Sequence, residues 1–160
     1  MEQNWEVNMY IGYYKSKIGL LEIRANDKGI TNIDVVNEVK KERLNELVVN
    51  CIKELDEYFN LKRKVFTVPL VLEGTTFQVR VWEELLRIDF GKVASYLEVA
   101  KRIGNEKGVR AVANAIGKNK ILVIIPCHRV IGSNQTLTGF RAGINNKKVL
   151  LESEGIKINK

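Results

Sequence analysis

The chain has 160 residues, 45% hydrophobic and 28% charged, with a formal net charge of +7. That suits one medium domain or two small ones, with enough chain to bury a core without disulfide or metal staples. No apolar run approaches the roughly 18 residues of a membrane span, and the opening MEQNWEVNMY lacks the basic-then-apolar order of a signal peptide.

The first part reads as β then α. VNMYIGYY, KIGLLEIRA and ITNIDVV are strand-like runs, and Asn26-Asp27-Lys28-Gly29 supplies a turn between the last two. Over residues 40–60, Leu44, Leu47, Val48, Cys51, Ile52, Leu55 and Phe59 recur at helical spacing. This predicts one amphipathic helix on a small antiparallel sheet, with Cys51 as a small core hydrophobe. LKRKVFTVPLVLEG is extended and carries Pro69. It is expected to give a further strand and a linker, so that residues 1–73 form a first domain and 74–160 a second.

The second part opens on two capping boxes. Thr75 is followed by Gln78, and Ser95 by Glu98, each three residues on. Helices are expected from Thr75 to about Ile88, burying Phe77, Val81, Leu85 and Ile88, and from Ser95 to about Ile103, stopped by Gly104. A third helix should run over residues 108–117, with Gly117 at its C-terminal end. Helix, glycine-containing turn, helix is the outline of a helix-turn-helix. ILVII, residues 121–125, reads as a buried strand. RVIGSNQTLTGF offers two β-like arms around Gly132-Ser133-Asn134, as a wing hairpin would, and a last helix is expected over residues 145–153.

The positive charge is unevenly placed. Residues 1–74 hold 11 Lys+Arg against 12 Asp+Glu, whereas residues 75–160 hold 15 against 7. Two readings fit: a half that meets a polyanion such as nucleic acid, or a Lys-rich surface serving solubility or heat stability. The third helix sharpens the question. Val109, Val112, Ala113 and Ile116 form its core stripe, and Arg110, Ala111, Asn114, Ala115 and Lys118 the opposite one. Small outer residues let a helix backbone approach something closely, either the floor of a DNA groove or another part of the protein.

IPCHRVIG holds the chain's one histidine beside its second cysteine. One histidine and two cysteines nearly exclude a zinc site and a disulfide framework, and fit a reducing compartment. A cysteine is only a few per cent thiolate at neutral pH, so a nucleophilic Cys127 needs a base or a positive field. His128 and Arg129 adjoin it. In a continuing strand, neighbouring side chains point to opposite faces. Either Pro126 turns the chain, or the proton leaves through a bridging water; otherwise Cys127 is a buried, inert residue.

The motifs together decide among these. IPCHRVIG, preceded by GTTFQVRVW, GKVASYLEVAKRIGN and RAVANAIGKN and followed by TGFRAGINNKKVLLESEG, closely resembles the O6-alkylguanine-DNA alkyltransferases over residues 66–155. The resemblance implies an α+β fold. A small N-terminal antiparallel sheet with one helix, of the RNase H-like kind, precedes a mostly helical winged helix-turn-helix domain carrying the active site. It implies direct, irreversible transfer of the alkyl group from O6 of guanine, and from O4 of thymine, to Cys127. His128 would be the base through a water, Glu154 would orient it, Tyr96 would donate a proton to N3 of the base, and Asn119 would support the active-site loop.

The same resemblance implies base flipping from the minor groove, with Arg110 filling the vacated space. Ala111, Asn114, Ala115, Tyr96 and Arg129 would complete the DNA-binding surface. Gly139, Phe140, Arg141 and Pro126 would line the alkyl pocket. The partner would be double-stranded DNA, met by a cytoplasmic monomer without cofactor, metal or membrane. This chain departs from many members in having Lys120 after Asn119, Phe140 where some have Tyr and Arg141 where some have Ser, changes that touch substrate breadth. The alternative is a damage-recognition protein without transfer activity, a reading that the presence of Cys127 disfavours.

Overall fold

The computed structural model of the chain describes residues 8–133, 137 and 139–157. These fall into two compact units, Met1–Val71 and Leu72–Lys160.

In the first unit, β1 (Tyr10–Ser16), β2 (Gly19–Ala25) and β3 (Ile30–Val36) form one antiparallel sheet in the order β1-β2-β3. The turn after β2 is closed by the Asn26 side chain, whose Oδ1 accepts from the backbone N–H groups of Lys28 and Gly29. Helix α1 (Glu46–Phe59) covers one face. It begins later than its periodicity suggests. Asn45 caps it by accepting from the Val48 N–H, and Arg43 instead pairs its backbone with Ile11. Leu44 therefore lies outside the helix and is exposed. Leu21, Ile23, Ile30, Ile33, Val48, Cys51 and Leu55 make the core, each large aliphatic side chain contributing about 1.5–3 kcal/mol. Gly12 sits where the helix crosses the sheet: a Cβ there would lie 2.5 Å from Val48. The segment expected to add a strand makes only an isolated parallel bridge, Ile30 to Leu70.

The second unit is mainly helical. Helix α2 (Thr76–Leu85) and helix α3 (Tyr96–Arg102) each begin at a complete capping box, from Thr75 and Ser95. A short 3-10 turn, Glu106–Gly108, leads into α4 (Val109–Gly117). Buried Trp82 ties α2 to α4, its indole N–H donating to the Ala115 carbonyl at 2.9 Å. Gly117 is the last helical residue, and Lys118 closes the helix in place of a left-handed glycine.

The expected strand over residues 121–125 does not form. That run is a buried series of turns, with Val123 held at φ 73. Its bonds are local, Ile124 N–H to Leu122 O and Ile125 N–H to Ile121 O. An apolar run says only that the segment is buried; among the described residues its bonds come from turns and a side chain. Cys127–Arg129 form a 3-10 turn, followed by β5 (Val130–Ile131), which pairs in parallel with β4 (Ala94–Ser95). The first arm of the expected hairpin is thus committed to β4. Residues 134–136 and 138, which would carry its tip, lie outside the described residues. Helix α5 (Ile144–Ser153) follows, and Gly155 at φ 86 ends it.

Candidate active site

The site is built on the segment between α4 and β5. Its organiser is Asn119, buried just past the end of α4. Asn119 Oδ1 accepts from the Ile121 N–H at 2.9 Å. Its Nδ2 donates to the Ile125 carbonyl at 2.8 Å and to Cys127 Sγ at 3.1 Å. One side chain thus ties the two ends of the segment together and holds the sulfur.

The 3-10 turn sends the two neighbouring side chains apart. Cys127 points to Asn119, whereas His128 is wholly buried with Nε2 2.8 Å from Glu154 Oε2. Glu154 is also gripped by Arg129, Nε to Oε1 at 2.8 Å and Nη2 to Oε2 at 2.9 Å. A carboxylate so held stays ionised. Burial pushes its pKa up, but the bonds from His128 and Arg129 outweigh this and hold it well below the usual range. Burial lowers the His128 pKa, more than Glu154 raises it. The imidazole is then neutral, its Nε2–H donating to Glu154. His128 Nδ1 is left as a lone pair, and it is the buried side-chain atom without a hydrogen-bond partner among the described residues.

Arg129, expected on the DNA-binding surface, is instead turned inward. It is buried; besides Glu154 it donates to the Ile88 carbonyl at 2.6 Å and lies over the Phe90 ring. Its charge is spent inside the fold. Ala115 is likewise misplaced on the outer stripe of α4: it is buried beneath Trp82, while Ala113 is half-exposed. The outer face holds Arg110, Ala111 and Asn114, all exposed.

A cleft of about 890 Å³ opens beside this face, within the roughly 300–1,000 Å³ of ligand sites. Tyr96, Arg110, Ala113, Gly139, Phe140 and Arg141 are among its walls. Tyr96 is presented by the Ser95 cap as the first residue of α3. Pro126 and Cys127 are buried and do not line the cleft. Arg141 connects the two regions, its Nη2 donating to the Asn119 carbonyl at 2.6 Å.

Sequence reading missed Lys147. It is fully buried on α5, its Nζ donates to the Val130 carbonyl at 2.7 Å, and it lies 5.9 Å from the Tyr96 ring centre. Burial brings its pKa down to about 8, with Cys127 opposing. The signal was available: Lys147, Leu150, Leu151 and Glu154 fall at i, i+3, i+4 and i+7, so both charged ends of that stripe had to be buried. Burial pushes the Cys127 thiol up, while Asn119, Lys147 and Arg141 pull it down. The resting residue is a thiol with a neutral base adjacent in the chain and cations nearby.

Two family models match the chain. One, described as 6-O-methylguanine DNA methyltransferase, DNA binding domain, covers residues 76–156; the other, its ribonuclease-like domain, covers residues 9–72. A methylated-DNA–protein-cysteine methyltransferase of Haemophilus influenzae is 42% identical over 156 residues, spanning 92% of this chain and 87% of that protein. One from Methanosarcina acetivorans is 38% identical, spanning 92% and 99%. The crystal structure of Mycobacterium tuberculosis O6-methylguanine methyltransferase superposes with a TM-score of 0.83 at 37% identity, covering 91% of this chain and 92% of that one. The Mycobacterium tuberculosis protein in complex with DNA gives 0.80 at 39% identity, covering 89% and 91%.

Proposed function

The chain belongs to the 6-O-methylguanine DNA methyltransferase family, and from that premise we propose that Cys127 is the residue that accepts the alkyl group. The protein repairs DNA by moving an alkyl group from a damaged base onto its own cysteine. The observation that carries the assignment is His128 Nδ1, a buried basic nitrogen with no hydrogen-bond partner among the described residues, on the residue next to Cys127. Leaving such a lone pair unbonded costs about 1–3 kcal/mol, and a proton-accepting role accounts for its retention.

His128 takes the thiol proton through a bridging water, and Glu154 steadies the imidazolium that forms. The thiolate attacks the alkyl carbon. The S–C bond forms as the C–O6 bond breaks, and the electron pair passes to the base. Tyr96 donates its hydroxyl proton toward N3, so that guanine leaves neutral. The imidazolium proton of His128 then passes to the Tyr96 phenolate through solvent, so that over the whole step Cys127 loses one proton and guanine gains one. The product is a thioether, which has no carbonyl for water to attack, so each molecule acts once. The same attack on an O4-alkylthymine needs no further residue.

Guanine O6 lies within the stacked duplex, so the nucleotide must leave it, at a cost of a few kcal/mol. The exposed face of α4 suits a narrow groove, with Ala111 and Asn114 allowing close approach and Arg110 filling the vacated space. The protein acts as a cytoplasmic monomer on duplex DNA. No helix among the described residues is long and apolar enough to cross a membrane. The test is stoichiometry. With excess duplex containing O6-methylguanine, guanine should be restored up to one equivalent of protein and no further. Turnover beyond one equivalent contradicts suicide transfer, and tight binding with no restored guanine supports a recognition-only protein.

A further inference from the structure

Arg141 is an unexpected wall for an alkyl pocket. A pocket for a methyl or longer hydrocarbon gains nothing from a guanidinium, whose partial desolvation is unfavourable. Yet among the described residues lining the cleft there are two guanidiniums, Arg110 and Arg141, and no carboxylate. Arg141 is exposed to solvent at the cleft, but one end of its guanidinium is tied to the backbone. Its Nη2 donates to the Asn119 carbonyl at 2.6 Å, and the Asn119 side chain in turn donates to Cys127 Sγ at 3.1 Å. It is also near enough for its charge to act on the Cys127 thiol, as does that of buried Lys147. A flipped base whose alkyl carbon approaches Sγ therefore brings its substituent into a region of net positive charge.

We infer that Arg141 makes this site selective for O6-alkyl groups that end in a carboxylate, such as O6-carboxymethylguanine, over neutral groups of the same size. The inference rests on Cys127 being the alkyl acceptor. The chemistry gives such selectivity a purpose. A thiolate attacking the carbon next to a carboxylate meets like-charge repulsion, which slows the acid relative to its amide. A guanidinium beside the reacting carbon offsets that repulsion and offers the carboxylate a charge-assisted hydrogen bond. The step balances as for methyl: S–C forms, C–O6 breaks, the electron pair goes to the base, and the thiol proton is matched by the proton guanine takes up. The product is S-carboxymethylcysteine at position 127.

The test compares single-turnover rates on three duplexes that differ only in the O6 group: carboxymethyl, carbamoylmethyl and methyl. The reading is the acid-to-amide rate ratio within each protein, so a general loss of activity cancels. The unmodified chain should give a ratio above one. Arg141→Ser and Arg141→Gln should each lower it roughly tenfold, the contribution of one charge-assisted hydrogen bond, and Arg141→Lys should restore much of it. A ratio below one in the unmodified chain, or a ratio unmoved in Arg141→Ser and Arg141→Gln, overturns the inference. An unmoved ratio with all three rates lowered together would place Arg141 on the DNA backbone instead. The methyl duplex separates the two levels: if Cys127 gains no methyl, the acceptor assignment fails; if it does and the ratio is insensitive to position 141, only the selectivity fails.

Discussion

His128 is the residue whose environment makes the most specific demand. It is the chain's single histidine, so its titration is read without overlap. Burial lowers its pKa below the ordinary 6.5, and Glu154 only partly compensates. The proposed base therefore stays neutral to a lower pH than an ordinary histidine, and the acid limb of the transfer rate should have its midpoint below 6.5. A rate already halved at pH 7 would mean that Glu154 dominates. The sign carries over to stability. Below pH 6.5 the unfolded chain takes up a proton at His128 that the fold resists, so stability declines as pH falls. Urea melts across pH 5 to 7 should show this decline, and His128→Gln should remove it. Cys127 and His128 were legible as a pair from their adjacency in the sequence, and Glu154 from its place in the motif. The confinement of Arg129 was not: a charge in a sequence does not say whether its partner is phosphate or a carboxylate 25 residues away.

At the scale of elements, the capping boxes were read correctly and the non-local signals were not. Both capping boxes involve residues three apart and could be seen directly. The run over residues 121–125 could not be assigned from its pattern, because burial is all that an apolar run encodes. What makes it a turn is the single side chain of Asn119. The two faces of α4 were confused for a similar reason: alanines weigh little in a periodicity, and Trp82, about 30 residues earlier in the chain, is what pins Ala115 inward. Asn119→Ala should thus do more than remove a polar contact. It deletes three hydrogen bonds, leaves the Ile121 N–H without its acceptor and the Ile125 carbonyl with only the Cys127 N–H, and frees Cys127 Sγ. A loss of about 2–3 kcal/mol by urea unfolding is expected, with slower transfer to Cys127. A variant as stable and as fast as the unmodified chain would show that Asn119 is not the organiser.

For the whole molecule, the charge imbalance between the halves was read from the sequence alone. Its functional half gathers the exposed face of α4, the cleft and the buried Cys127 segment into one unit. Binding to duplex DNA should weaken steeply with salt, because Lys and Arg displace counterions from phosphate. Arg110 has a narrower role. Arg110→Ala should slow transfer from duplex DNA about tenfold or more, since flipping costs a few kcal/mol, and slow reaction with a free O6-alkylguanine base far less. Equal losses on both would refute the space-filling role. On the proposed division of work, the second unit would bind, flip and react, and the covalent outcome would be recorded at a single sulfur.

That record can be read directly. The protein is incubated with duplex DNA carrying one O6-methylguanine, digested, and its two cysteine peptides are weighed. The account predicts one methyl group on the peptide containing Cys127 and none on the peptide containing Cys51, with no gain in Cys127→Ala. Restored guanine with an unmodified Cys127, or a methyl group found on Cys51, would contradict it.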